Sequence, residues 1–234
     1  MWSTKNEVLQ TLHDIKQNGM QRLYREDVVT QKDIIIPDSG ELRTEIVAEF
    51  LLSYPESFET IHRITRRKSY VTSTHNGVFR NTASNRVEEH IAYELRNIQH
   101  FPDSLGEVLD YQIPLNSVRG DGAGAIDLIS DDGSTLYLLE LKRWDAKDTL
   151  LRCVLEILTY WLLVDRDKLV RDFLGSRAIR IVVPALLIFS ESQQHQELDA
   201  HRPHLAALMD ACDVRVFLLE RTRDGYNCRE YKRV

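Results

Sequence analysis

The chain has 234 residues, 43% of them apolar and 8% aromatic, with only 10 Gly and 6 Pro. This is enough apolar material for a substantial core, and it excludes collagen-like, coiled-coil, disordered and small disulfide-stapled classes. A net charge of −6 argues against bulk attraction to nucleic acid, yet residues 61–86 carry Arg63, Arg66, Arg67, Lys68, Arg80 and Arg86 and no acid, a +6 window that leaves −12 for the remainder.

In chain order, Val8, Leu9, Leu12 and Ile15 predict a helix over about 5–16. A strand is expected at 33–36, ended by the turn Pro37-Asp38-Ser39-Gly40, and a helix follows over about 41–52. Between 57 and 85 the pattern weakens, with Gly77 supplying a turn and a short strand expected at 69–73; a boundary is placed near Ser84. A helix over about 86–99 then carries Val87, Ile91, Leu95 and Ile98 on one stripe, with Asn85 as N-cap and Pro102 beyond its end. Strands are expected at 107–115, 125–130 and 135–142, the last two joined by the hairpin signal Asp131-Asp132-Gly133-Ser134. After them come a helix over 146–163, a buried strand over 179–189, a helix over 194–211, a strand over 214–219 and an edge strand over 226–233. Alternating strands and helices imply a mixed sheet with helices on its faces. The longest apolar stretch, 178–189, is broken by Arg180 and Pro184 and is too short for a membrane span of ~20 residues. With no signal or transit pattern at the N-terminus, a cytoplasmic protein without a membrane partner is expected, and the three Cys, lacking metal or redox spacing, are expected as reduced thiols.

The chemistry concentrates on 127–142. Strand side chains change face at every residue, so Leu136, Leu138, Glu140 and Lys142 share one face and Tyr137, Leu139 and Leu141 the other. Glu140 and Lys142 then lie roughly 6.5–7 Å apart along the strand, a charged pair on a face otherwise built of Leu. The hairpin brings Asp127 within reach of Glu140. Two neighbouring carboxylates resist joint ionisation, which favours a hard divalent cation held by oxygen ligands, with Lys142 placed to hold or deprotonate a water beside it.

The run Ala125-Ile126-Asp127-Leu128-Ile129, followed by Leu138-Leu139-Glu140-Leu141-Lys142-Arg143, resembles the PD-(D/E)XK nuclease superfamily, where an Asp closes one strand segment and Glu-x-Lys lies on the next. That family carries an acidic helix before the Asp, and Glu88 with Ile91 and Leu95 fits its Glu-x-x-apolar-x-x-x-apolar pattern, with Glu89 the neighbouring alternative. Many members follow the Lys with a Gln-x-x-x-Tyr helix; here the pair is Glu156 and Tyr160, a departure, with Arg152 one turn earlier. The similarity is strongest to the endonuclease-like, single-domain branch and covers about 85–219. Each residue also has a plainer reading: Glu88 as a capping-box Glu after Asn85, Asp127 and Glu140 as ion-pair partners of Lys142 and Arg143, Arg152–Glu156 as a helical ion pair, and Tyr160 as core.

The resemblance implies an α/β, restriction-endonuclease-like mixed sheet flanked by helices over 85–234, with an α/β accessory segment over 1–84. It implies hydrolysis of nucleic-acid phosphodiester bonds, DNA foremost, leaving a 5′-phosphate and a 3′-hydroxyl. Asp127, Glu140, Glu88 and the carbonyl of Leu141 would hold Mg²⁺ or Mn²⁺, and Lys142 would complete the catalytic set. Glu156, Tyr160, Arg152, Arg66, Arg67 and Lys68 are expected to face substrate, with Arg80 a further phosphate contact, and cutting two strands would suit a homodimer. A nuclease-fold module that binds nucleic acid or protein without cutting is the alternative, and a small-phosphoester hydrolase a third. The Gly120, Gly122, Gly124 loop lacks the dinucleotide fingerprint, and His201 with His204 lacks the partners of a zinc site.

Overall fold

Short links make antiparallel neighbours and long helical links make parallel ones, and this chain follows that rule strand by strand. The computed structural model describes residues 2–72, 87–98, 100–101, 103–117 and 124–232. Their seven strands form one sheet in chain order: β1 (His100–Phe101), β2 (Gly106–Pro114), β3 (Ala125–Asp131), β4 (Thr135–Lys142), β5 (Ile181–Phe189), β6 (Arg215–Thr222) and β7 (Gly225–Glu230). β1 to β4 form an antiparallel meander, β4, β5 and β6 run parallel, and β7 closes as an antiparallel hairpin. The β4–β5 crossover contains α5 (Leu150–Leu163) and α6 (Arg166–Leu174), and the β5–β6 crossover contains α7 (Gln193–Asp199) and α8 (Pro203–Ala211). Ahead of the sheet lie α1 (Lys5–Asn18), α2 (Asp27–Thr30), α3 (Arg43–Ser53) and α4 (Val87–Ile98). The chain is thus a mixed α/β protein, and no helix among its described residues is long and apolar enough to cross a membrane.

The sheet buries both faces. Leu136 and Leu138 of β4 join one apolar cluster, with Val154 and Ile157 of α5, while Leu139 and Leu141 join the other, under Ile91 and Leu95 of α4. The alternation expected along β4 is therefore present. Helix α5 is buried nearly all round, as a helix must be when the sheet covers one side and another layer the other. That second layer is the N-terminal segment, whose Val8, Leu12, Met20 and Leu23 belong to the same cluster as the α5 face of the sheet.

Several expectations change on contact with the structure. Residues 33–36 make only a single bridge, Ile35 to Leu42, because the following turn folds back at once, with Ile36 N–H donating to the Glu41 carbonyl at 2.7 Å. Residues 69–72 form no strand, being tied down by polar contacts such as Tyr70 N–H to Asp172 at 2.8 Å. The helix expected over 194–211 is two, α7 and α8, because Pro203 cannot continue a helix and restricts the residue before it. Helix α5 begins at Leu150, where the Thr149 side chain caps Arg152 N–H. Helix α6 was not expected; Asp165 caps it and Gly175 ends it. The Asn85 cap, the Ser84 boundary, Gly77, Arg80, Arg86, Pro102, Gly120 and Gly122 lie outside the described residues.

Because the N-terminal layer shares its core with α5, its loss should be felt throughout. Leu12→Ala is expected to lower the unfolding free energy by about 2–5 kcal/mol, in one urea transition followed identically by circular dichroism and tryptophan fluorescence; two separate transitions would show an independent N-terminal unit.

Candidate active site

The β3–β4 ladder ends at the Leu128–Leu139 pair, and beyond it a side chain replaces the next strand partner. Leu141 N–H, pointing toward β3, donates to Asp127 Oδ2 at 2.9 Å, while Gln112 Nε2 of β2 donates to Asp127 Oδ1 at 2.7 Å. Both carboxylate oxygens are therefore held. In an antiparallel pair one residue turns both its N–H and its C=O to the same neighbour, so the Leu141 carbonyl faces this same edge. Strand periodicity breaks here: Tyr111 and Leu128 pack on the α4 side, but Ile113 and Ile126, paired two residues on, pack on the α5 side. Gln112 sits at the break with φ +49°, left-handed for a non-glycine residue.

Glu140 and Lys142 emerge on the α5 face, both buried. Lys142 Nζ lies 2.6 Å from Glu140 Oε1 and 3.3 Å from Glu156 Oε2, and Asp148 is 3.8 Å away. Tyr160, one turn beyond Glu156, donates its hydroxyl to Glu156 Oε1 at 3.0 Å. The spacing of four that stacks Glu156 and Tyr160 on one helical face thus delivers both to the end of β4. From the N-terminal layer, Tyr24 meets the Tyr160 ring edge-on at 5.9 Å. Gly124, at φ +94°, presses so closely that a Cβ there would lie 2.7 Å from the Tyr160 hydroxyl.

Acids in so tight a space cannot all ionise freely. Burial pushes the Asp127 carboxyl up to about 7; Lys142 and the Leu141 N–H oppose the rise, and the Glu88 and Glu156 charges add to it. Burial, then the Asp127 charge, raises Glu140 well above the usual carboxylate range. Burial works against ionised Glu156 most strongly, but the Lys142 and Arg152 charges and the hydrogen bonds from Glu140 and Tyr160 together outweigh it and hold that carboxyl low. For Lys142, burial alone would favour the neutral amine, yet Glu140 and the other nearby negative groups keep it protonated far above neutrality.

The remaining expected residues divide. Glu88, in the first turn of α4, reaches the end of β4, where its Oε1 accepts from Arg143 N–H at 3.4 Å. Arg152 pairs with Asp148 four residues before it. Arg66, expected to face substrate, is instead buried: its guanidinium donates to the carbonyls of Lys68, Ser69, Pro114 and Asn116, so it staples its segment to the end of β2. Arg67 and Lys68 are exposed beside it. Sequence reasoning passed over Gln112, Asp148 and the Tyr24 contact; only the Asp148–Arg152 spacing offered a signal.

The donor chemistry suits a hard cation in a limited way. Among the described residues no three His, Cys, Asp or Glu side chains converge as a cage, and Glu88 does not join Asp127 and Glu140 in one. Two carboxylates and a backbone carbonyl at one strand end nevertheless match Mg²⁺, which commonly takes one or two carboxylates and completes its shell with water and substrate phosphate. Comparison with protein-family models, curated proteins and solved structures finds no match to this chain.

The pH sign follows from Asp127. Its native carboxyl binds a proton more tightly than the unfolded one, so its stabilising contribution is complete below about pH 4 and is lost as pH rises through about 7. Every tenfold difference in proton affinity between the two states is worth about 1.4 kcal/mol. In EDTA, Asp127→Asn should flatten that fall and exceed the wild type in denaturant midpoint at pH 8; a variant that tracks the wild type at every pH would refute it. Gly124→Ala, which forces a Cβ into Tyr160 at a left-handed backbone position, should cost about 1–3 kcal/mol in the same assay.

Proposed function

We propose that this chain is a divalent-metal-dependent nuclease of the PD-(D/E)XK type, hydrolysing phosphodiester bonds in nucleic acid, with DNA the leading substrate. One observation carries the reading: Asp127 and Glu140 are the next residues past the last β3–β4 ladder pair, Leu128–Leu139, and Lys142 Nζ lies 2.6 Å from Glu140 and 3.3 Å from Glu156 of the following helix. The order of elements supports it, since the acidic helix α4 precedes the β3 strand that carries Asp127, β4 carries Glu140 and Lys142, and α5 with Glu156 and Tyr160 follows.

Asp127, Glu140 and the Leu141 carbonyl would hold the Mg²⁺ or Mn²⁺ ion, with Glu88 near the same strand end. The ion supplies Lewis acidity at the scissile phosphate. Lys142, kept charged by Glu140 and Glu156, stabilises negative charge developing on the phosphoryl oxygens. Glu156 and Tyr160 hold that amine in place. Gln112 and Leu141 N–H keep Asp127 from rotating. Arg67 and Lys68 supply an exposed positive edge for the backbone of the nucleic acid, a contact that weakens steeply with salt. A module that binds without cutting is favoured by the same tight pairing of Lys142 with two acids, and the assay that separates the two readings is direct.

Plasmid, linear duplex, single-stranded DNA and RNA should be incubated with the chain with and without Mg²⁺ or Mn²⁺. Metal-dependent cutting is expected, falling at least ~100-fold in Asp127→Ala and in Lys142→Met, each checked for folding by circular dichroism. Binding without cutting would establish the non-catalytic reading, and undiminished cutting in either variant would remove the site.

A further inference from the structure

We propose that Gln112 is a positioning residue for the site: its side-chain amide, brought inward by a left-handed backbone turn within β2, locks the Asp127 carboxylate in the orientation that receives the cation. The inference rests on the nuclease reading and adds to it a residue outside the Asp, Glu-x-Lys pattern.

Among the described residues only Gln112 and Asp213 are non-glycines with positive φ, each +49°. Asp213 lies in the turn between α8 and β6, and Asp visits this region readily because its short side chain bonds locally. Gln112 has neither excuse. It lies in the interior of β2, its neighbours Tyr111 and Ile113 keep their pairing with Leu128 and Ile126, and the register runs through without an inserted residue at this point. A strand needs no left-handed residue there. Such conformations persist where the surroundings over-determine them, and they concentrate at functional sites.

The turn has two consequences. Ile113 and Ile126 move to the α5 face, away from the face of Tyr111 and Leu128. The Gln112 amide comes to Asp127 Oδ1 at 2.7 Å while Leu141 N–H holds Oδ2 at 2.9 Å. One donor alone would leave the carboxylate free to swing about it; two donors on different oxygens, from strands on opposite sides of β3, fix its plane. A partner of this kind typically governs metal affinity or activity by about 10–100-fold when removed. Packing of Ile113 is the competing explanation for the turn, and it makes no demand on the amide.

Two variants separate these accounts. Gln112→Gly keeps the backbone free to adopt φ +49° and deletes the amide, whereas Gln112→Glu keeps the side-chain length but replaces the donor with a second negative charge. Calorimetric titration with Mn²⁺, urea unfolding and steady-state cleavage of linear duplex DNA should be run on both and on the wild type. The expected result is that Gln112→Gly unfolds at or above the wild-type urea midpoint, yet binds Mn²⁺ about 10–100-fold more weakly and loses kcat with KM for DNA unchanged; Gln112→Glu should lose at least as much. Wild-type Mn²⁺ affinity and kcat in Gln112→Gly would overturn the role and leave the turn to packing. Should the glycine variant not fold, retention of both quantities by Gln112→Glu overturns it equally. A wild type that neither binds Mn²⁺ nor cuts would instead defeat the nuclease reading, and this inference with it.

Discussion

The Lys142 ammonium lies 2.6 Å from Glu140 and 3.3 Å from Glu156, and it joins the end of a central strand to the helix that crosses over it. All three groups are buried. Removing the amine would leave two acids facing each other in an apolar surround, and removing either acid would leave a cation partly uncompensated; breaking such a set costs far more than a surface pair because desolvation is already complete. The position of α5 against β4 is therefore specified electrostatically as well as by its leucines. Asp127, one strand away, feels the same cluster and is held near neutrality in its titration.

The rest of the molecule supports that join from both sides. Tyr160 donates to Glu156 and is itself backed by Tyr24 from the N-terminal layer and by Gly124 from the start of β3. A segment that resembles an accessory unit in sequence thus forms the far wall of the helix bearing the site residues. Arg66 extends the same logic: its guanidinium, stacked 4.7 Å from the Tyr70 ring, spends its donors on four backbone carbonyls and fixes the chain beside the end of β2. A guanidinium can serve either a phosphate or a set of carbonyls, and burial decides which.

Local pattern was readable wherever a face is uniformly apolar. The two-residue alternation of β4, the Asp131–Ser134 turn and the long apolar run of α5 each report a burial environment that repeats with the backbone's own period, so Glu140, Lys142 and Glu156 could be assigned to faces from residue order alone. The signal failed where hydrogen bonds override periodicity. Residues 33–36 carry a strand's composition but have no strand beside them, and the 194–211 pattern hides a break at Pro203 because apolar spacing resumes after it.

Residue order by itself determined which side chains share a strand face, where the meander turns and which helix follows the Glu-x-Lys run, because each of these depends on neighbours within a few residues. Tertiary structure alone decided that Lys142 is neutralised by acids from two elements, that Arg66 points inward, and that Gln112 turns left-handed and donates to Asp127. Those outcomes depend on which distant segments share a low-dielectric space: a buried charge or donor must take the partners that packing brings to it, and packing joins residues separated by 15 positions on neighbouring strands or by more than a hundred across the fold.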